Sequence, residues 1–377
     1  MRILYNIAGT CHSGGMERVL ANKANYLVKH GYEVTIVTTD QRGEKPFFSL
    51  DKRILCYDLD INYEENNGKS FFNKLIHYPF KQYKHKKRLS ALLKRLKADI
   101  VISMFCNDVS FLPSIQDGSR KVLEIHFSRF KRLQYGRKGL WKWADEYRSK
   151  QDVKVASRFD RFVVLTEEDK GYWGDLKNLC VIGNARSFVS PQPTSLENQK
   201  VIAVGRYSYQ KGFDRLISAW SKVCQEMHGW KLHLVGDGEL RESLQQQINE
   251  LNLSESVVLG KAETDMLSVY RSASILAMSS HYEGLPMVLL EAQAVGLPIV
   301  SFACKCGPKD VVEDGVDGFL VEEGDVDALT NCLLMLMKDE DLRKRMGAAA
   351  FARSERYTEE RIMKRWMDLF EEVAFKK

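Results

Sequence analysis

Two carboxylates, Glu283 and Glu291, flank the run Gly284-Leu285-Pro286-Met287-Val288 in a stretch that opens at His281-Tyr282. Ahead of it, Ser274 to Met278 is a short apolar run of the kind expected for a strand buried on both faces. Gly284 permits a sharp turn. Pro286 suits the first turn of a helix, where its missing N–H has no partner to lose. Gly296 then closes the helix, and Leu297-Pro298-Ile299-Val300 starts the next strand. Glu283 is therefore expected just before the helix and Glu291 about two turns inside it, roughly 12 Å along the axis. Between them the N–H groups of Leu285, Met287 and Val288 are unspent at the positive end of the helix dipole. A carboxylate on either side of a backbone anion site suits a molecule with hydroxyls at both ends and phosphate in the middle, which is the shape of a nucleotide sugar. The competing reading takes Glu291 as an ordinary helix-surface residue.

Two cations belong to the same half of the chain. Arg206 and Lys211 lie on Arg206-Tyr207-Ser208-Tyr209-Gln210-Lys211-Gly212, the loop leaving the apolar strand Val201 to Gly205. Converging there, they would neutralise a diphosphate; solvated loop charges are the alternative. In the first half, His126 falls at the C-terminal edge of the strand Lys121 to His126, where open α/β sheets place their ligands. A histidine there can hydrogen-bond or shuttle protons near neutrality, while a satisfied structural histidine is the plainer reading. Gly14 and Gly15 stand between the first strand, Ile3 to Ala8, and a helix from Met16 to His30. They would let a diphosphate approach the backbone or would form a simple tight turn, and their spacing is neither a Walker loop nor a dinucleotide fingerprint.

Positioning these residues requires two doubly wound α/β domains. Strands at Ile3–Ala8, Val34–Thr38, Asp99–Ser103, Lys121–His126, Arg161–Leu165 and Val181–Asn184 alternate with helical periodicity, and Ser190-Pro191-Gln192-Pro193-Thr194-Ser195 reads as a linker. A second series follows at Val201–Gly205, Lys231–Val235, Val257–Gly260, Ser274–Met278 and Leu297–Val300. The expected layout is an N-terminal domain over 1–185, a C-terminal domain over 190–356, and a helix over 357–377 whose apolar stripe would cover the first domain.

At 377 residues, 44% hydrophobic and 28% charged, the composition is that of a globular protein with room for two cores. The net charge of +6 conceals an asymmetry: residues 1–190 hold 34 Lys+Arg against 21 Asp+Glu, and residues 191–377 hold 22 against 29. Halves of opposite sign suggest different partners, one of them anionic. The apolar run at the N-terminus is too short for a signal peptide, and no apolar segment reaches the ~20 residues of a membrane span. Eight scattered cysteines fit reduced thiols, and Cys304-Lys305-Cys306 is read as structural. A cytoplasmic protein is expected.

Residues 69–97 carry ten Lys+Arg, no Asp or Glu and five aromatics. Rings at headgroup level with cations on anionic lipid would make this an interfacial membrane segment. A solvated basic helix with Leu89, Leu92, Leu93 and Leu96 on its core face is the alternative, and nucleic acid is not the expected partner.

On these motifs the chain resembles the retaining glycosyltransferases of family 4, which have the GT-B fold: two facing Rossmann-like domains with a central cleft. The resemblance spans nearly the whole chain. It rests on Gly205-Arg206 with Lys211-Gly212, Val235-Gly236-Asp237-Gly238, Glu283-Gly284-Leu285-Pro286 with Glu291-Ala292, Gly296-Leu297-Pro298 and Gly315-Val316-Asp317-Gly318, together with Gly14-Gly15-Met16-Glu17 as a Gly-rich loop. It departs at Val181 to Ala185, which lacks the usual proline, and over residues 60–97, which have no counterpart.

The resemblance implies that Arg206 and Lys211 grip the donor diphosphate and that Glu291 bonds the ribose hydroxyls. It implies that Glu283 contacts the donor sugar beside the N–H groups of Leu285 to Val288, that Lys261 lies near the base, and that His126 acts near the reacting sugar. The donor would be a UDP-hexose or UDP-N-acetylhexosamine, and the acceptor a lipid-linked or cell-envelope glycan at the inner membrane face. No cofactor or metal is expected, because Asp58-Leu59-Asp60 would be a weak metal-ligand pair. The departing diphosphate would be stabilised by Arg206, Lys211 and the helix start. The leaving phosphate would act as base in a retaining transfer, with domain closure shutting out water. A nucleotide-sugar epimerase of the same fold and a non-catalytic nucleotide-sugar-binding protein are the alternatives.

Overall fold

A computed structural model of the chain describes residues 1–66, 71–130 and 140–375. It divides into two compact units, one of Met1–Leu165, Lys170–Ile182 and Ile362–Lys377, the other of Thr166–Asp169 and Gly183–Arg361.

The chain begins with β1 (Arg2–Ile7), α1 (Gly15–Lys29), β2 (Glu33–Thr38), β3 (Leu55–Asp58), α2 (Phe71–Leu96) and β4 (Ile100–Ser103). It continues through β5 (Arg120–Glu124), α3 (Leu140–Ala156), β6 (Arg161–Val164), α4 (Glu167–Trp173) and β7 (Leu179–Val181). These strands form one seven-stranded sheet in the order β3-β2-β1-β4-β5-β6-β7. Every pairing is parallel, with Ile3 of β1 beside Val34 on one side and Ile100 on the other. Residues 3 to 7 of β1 are all buried, the polar Asn6 among them, as a central strand covered on both faces must be.

The second unit repeats the pattern. It contains β8 (Lys200–Val204), α5 (Phe213–Glu226), β9 (Lys231–Val235), α6 (Arg241–Glu250), β10 (Val257–Leu259), α7 (Met266–Arg271) and β11 (Ile275–Met278). Next come α8 (Met287–Val295), β12 (Ile299–Phe302), α9 (Pro308–Val311), β13 (Gly318–Val321), α10 (Val326–Lys338) and α11 (Glu340–Arg353). Its parallel sheet runs β10-β9-β8-β11-β12-β13. Leu216, Ile217, Trp220 and Val223 of α5 recur at helical spacing and are fully buried against the sheet. Each contributes roughly 1.5–3 kcal/mol by leaving water.

The last helix, α12 (Glu359–Phe375), buries Ile362, Met363, Trp366, Leu369, Phe370 and Val373 on one stripe. From Ile362 onward it belongs to the first unit, where the Phe370 ring meets Tyr32 edge-on at 6.3 Å and Arg161 pairs with Glu372.

Two strands are not named in the sequence analysis, β3 and β13, although each holds a short apolar run. β3 is an edge strand on the run Ile54-Leu55-Cys56-Tyr57, and its residues stay largely exposed. β13 starts at Gly318, read above as part of a turn; a Cβ there would stand 2.3 Å from the Ile299 carbonyl oxygen, so this glycine serves close strand approach. β7 ends at Val181 rather than Asn184, although the Ile182 N–H still reaches the Val164 carbonyl at 3.0 Å. α2 runs through Pro79 as one long helix and buries Leu89, Leu92 and Leu93, while Tyr78, Phe80 and Tyr83 are exposed. Residues 69 and 70 of the basic aromatic stretch lie outside the described residues. No described helix is long and apolar enough to cross a membrane.

Candidate functional site

The strand order of the second sheet reverses between β8 and β11, and the loops leaving those two strands are where such folds hold ligands. The loop after β8 carries Arg206 and Lys211; the loop after β11 carries His281 to Pro286. Gly212 joins them. It sits in left-handed backbone at φ +56, and a Cβ would lie 2.4 Å from the Ser279 carbonyl oxygen, so only glycine lets the loops pack this closely. Ser279 Oγ donates to the Lys211 carbonyl at 2.9 Å, and the His281 N–H donates to the Gln210 carbonyl at 2.8 Å. Gln210 Nε2 reaches the Tyr282 carbonyl at 3.1 Å.

This lacing brings Lys211 Nζ to 2.7 Å from Glu283 Oε1, with both side chains largely buried. The second oxygen of Glu283 has Gln210 Nε2 at 3.5 Å, the outer limit of a hydrogen bond. Its lone pairs are therefore largely unspent, as are two of the three ammonium donors of Lys211 as far as Glu283 is concerned. Arg206 is exposed on the same loop, and Lys261 is exposed after β10; neither forms an ion pair among the described residues. Tyr209 stacks on His281 with centroids 4.2 Å apart, and His281 Nδ1 lies 3.4 Å from Glu323 Oε1. Burial, reinforced by the Arg215 charge, lowers the pKa of His281.

Pro286 occupies the capping position at φ −70, ψ 108, and Met287 is the first helical residue of α8. This corrects the sequence reading, which put Pro286 inside the first turn. Glu291 accordingly sits about one turn into the helix rather than two. The Leu289 N–H turns back to the Pro286 carbonyl at 3.1 Å, while Met287 and Val288 stand at positions without an intrahelical acceptor. Leu285 is buried beneath them. The Glu291 carboxylate is buried and accepts from Ser187 Oγ at 2.7 Å and from the Tyr270 hydroxyl at 2.8 Å.

Ser187, Gln210 and Tyr270 were not singled out in the sequence. Gln210 could have been found as the neighbour of Lys211; the other two have no local signal. Cys304 and Cys306 are buried free thiols. Burial and then the Glu283 carboxylate push the Cys304 thiol well up.

In the first unit Gly14 caps α1 and Gly15 opens it. Asp58 accepts from Thr38 Oγ1 at 3.2 Å, and Asp60 faces Lys84 and Arg88 at 3.7 and 3.5 Å. His126 lies two residues past β5, and its Nε2 is 2.9 Å from Glu124 Oε1 with the imidazole almost fully buried. The oxygen stands off the axis of the ring N–H, so the contact is closer to an ion–dipole pair than to an in-line hydrogen bond. Glu124 in turn receives Lys23 Nζ at 2.7 Å on each oxygen. Burial alone would raise the Glu124 pKa, but Lys23 and His126 outweigh it and hold it at about 2. Burial pulls Lys23 below the ordinary lysine range, and Glu124 opposes the shift. Neither Lys23 nor Glu124 was named from the sequence.

Two parallel Rossmann-like units, with cations and carboxylates on the loops at the switch point of the second, define the GT-B class of proteins. Residues 13–185 match the family model described as Glycosyltransferase Family 4, and residues 187–353 match the one described as Glycosyl transferases group 1. The amylovoran biosynthesis glycosyltransferase AmsD of Erwinia amylovora is 30% identical over 98% of this chain and 99% of its own. The Campylobacter jejuni GalNAc-alpha-(1->4)-GalNAc-alpha-(1->3)-diNAcBac-PP-undecaprenol alpha-1,4-N-acetyl-D-galactosaminyltransferase is 29% identical over 99% of both chains. Among solved structures, a single-site mutant of S. aureus TarM in complex with Fondaparinux, alpha-GlcNAc-glycerol and UDP superposes with a TM-score of 0.79 at 17% identity, covering 98% of this chain and 99% of that one. The chain belongs to this family of glycosyltransferases.

Proposed function

We propose that the chain is a retaining glycosyltransferase that moves a hexose or N-acetylhexosamine from a UDP-sugar to a lipid-linked or cell-envelope glycan. The observation that carries this reading is the Lys211–Glu283 pair, 2.7 Å long, at the switch point beside the start of α8. Before the donor binds, Glu283 neutralises Lys211. The ammonium has donors left for a diphosphate oxygen, and the second oxygen of Glu283, which holds only the long Gln210 contact, accepts from a sugar hydroxyl. Arg206 and the N–H groups of Met287 and Val288 add positive potential where charge develops on the leaving group, so that no metal is required. Glu291, oriented by Ser187 and Tyr270, takes the ribose hydroxyls, and Lys261 lies near the base. His126 serves the reaction from the first unit by orienting and polarising rather than as nucleophile, and Gly14 and Gly15 keep the loop before α1 open to a substrate.

The UDP of the TarM complex supports the choice of donor, and the undecaprenol-linked glycan in the Campylobacter relative's name supports the choice of acceptor. The amylovoran relative points the same way, toward polysaccharide assembly. Exposed Phe80 and Tyr83 on the basic helix α2 support peripheral contact with anionic lipid at the cytoplasmic face.

The test is incubation with UDP-glucose, UDP-galactose, UDP-GlcNAc and UDP-GalNAc, with and without EDTA, followed by the anomeric configuration of any product. Slow hydrolysis of one donor, undiminished by EDTA, with an α product is expected. Consumption of donor to an epimer without acceptor would identify an epimerase, and UDP binding without turnover a non-catalytic protein.

A further inference from the structure

Lys23 is an unusual residue for its place. It lies on the core-facing side of α1, almost fully buried, and its ammonium is held between two aromatic faces, 3.5 Å from the Trp366 ring centroid and 5.4 Å from that of Tyr5. Two of its three donors go to Glu124 at 2.7 Å each. Tyr5 from β1 is fully buried, and its hydroxyl has no hydrogen-bond partner among the described residues. A buried ion pair is a poor way to gain stability, because apolar residues of similar volume serve at least as well. What the pair does provide is a fixed carboxylate, and that carboxylate ends at His126: Glu124 Oε1 is 2.9 Å from the imidazole Nε2. A carboxylate in this ionised state only accepts. Although the oxygen lies off the N–H axis, a bare ring nitrogen at 2.9 Å would set two acceptors against each other in a buried site. The nitrogen beside it must therefore carry the proton.

We infer that Lys23 and Glu124 are positioning residues for His126, clamping its imidazole in the tautomer protonated on Nε2 and leaving Nδ1 as a hydrogen-bond acceptor for a substrate hydroxyl. Trp366, on α12, packs its ring against the Lys23 ammonium. The inference rests on the proposed role of His126 in catalysis.

The first measurement is the long-range proton–nitrogen NMR spectrum of histidine-labelled protein at neutral pH, with the His126 signals identified by their absence in His126→Ala. An Nε2–H pattern in the wild type is expected, and an Nδ1–H or doubly protonated pattern overturns the inference without any further variant. In the double variant Lys23→Met/Glu124→Leu, which leaves no unpaired charge, we expect a mixed tautomer. We also expect kcat for UDP-sugar hydrolysis to fall about 10–100-fold, the size of loss that follows removal of the outer partner of a metal-bound histidine, with KM for the donor unchanged. Lys23→Met/Glu124→Gln, which removes both charges but keeps a carbonyl acceptor, should restore the Nε2–H pattern and part of kcat. Wild-type tautomer and wild-type kcat in the Leu double variant would sink the proposal. If His126→Ala hydrolyses donor at the wild-type rate, the catalytic reading of His126 fails instead, and the tautomer result still decides whether the pair fixes the ring.

Discussion

Lys211 Nζ and Glu283 Oε1 lie 2.7 Å apart across a separation of 72 residues, on loops leaving two adjacent strands of one sheet. Neither group is saturated by the other. If this pair handles a diphosphate and a sugar, Lys211→Ala and Glu283→Ala should each lower donor hydrolysis about 10²–10³-fold, the cost of one preorganised donor in a water-poor site. Lys211→Ala should also weaken UDP binding by calorimetry, whereas Glu283→Gln should leave it nearly unchanged. Lys222→Ala breaks an exposed pair with Asp327 and should be silent, since such pairs contribute about 0–1 kcal/mol.

The Glu291 carboxylate, held by Ser187 and Tyr270, gives a prediction about the ribose. Wild-type protein should bind UDP more tightly than 2′-deoxy-UDP, by roughly the 1.5–3 kcal/mol of a hydrogen bond to a charged group. Glu291→Gln and Tyr270→Phe should shrink that preference. Equal preference in all three proteins would remove Glu291 from the ribose site.

Acid should expose the Lys23–Glu124 pair. Glu124 is held at about 2 in the folded protein, below the roughly 4.3 of an exposed glutamate. Its contribution is therefore present above about pH 4.3 and is lost as the pH falls toward 2, on the order of 3 kcal/mol in all. Lys23→Met alone, which leaves the carboxylate buried and unpaired, should cost about 3–5 kcal/mol at neutral pH, and the apolar double replacement much less. Urea unfolding at pH 7, 4 and 3 measures both effects.

Asp108 has the opposite sign. It is fully buried, and burial raises its pKa to about 6 despite hydrogen bonds that favour the charged form, including 2.7 Å from Ser103 Oγ. Stability from this group is full below the unfolded value, near 3.9, and declines as the pH rises through 6. Asp108→Asn should raise the melting temperature at pH 8 and change it little at pH 4. A lower melting temperature at pH 8 would mean that the ionised carboxylate is stabilised by something further.

Gly212→Ala should damage function more than stability. Its Cβ would meet the Ser279 carbonyl at 2.4 Å in backbone that L-residues avoid. The loop must shift, with an expected cost of about 1–3 kcal/mol in stability and a fall in hydrolysis far larger than the change in melting temperature. A rate equal to wild type would show that the position of Lys211 does not matter.

The sequence by itself determined the alternation of buried strands and helices, because apolar runs and turn glycines act over a few residues and are read without knowing what lies opposite. It also set Lys211 and Glu283 on loops at strand ends, where parallel sheets gather their ligand groups. It left β3 and β13 easy to miss, because the short apolar run of β3 stays largely exposed at the sheet edge and the glycine that opens β13 looks like a turn until Ile299 is beside it. Nor could it show that Lys23 meets Glu124 or that Ser187 and Tyr270 hold Glu291. Those partners stand 101, 104 and 21 residues apart, and no propensity or spacing rule links them. Only the stacking of α1 on the sheet and of α7 against α8 sets which buried charge finds which partner, since an isolated charge in a core is far less stable than a paired one.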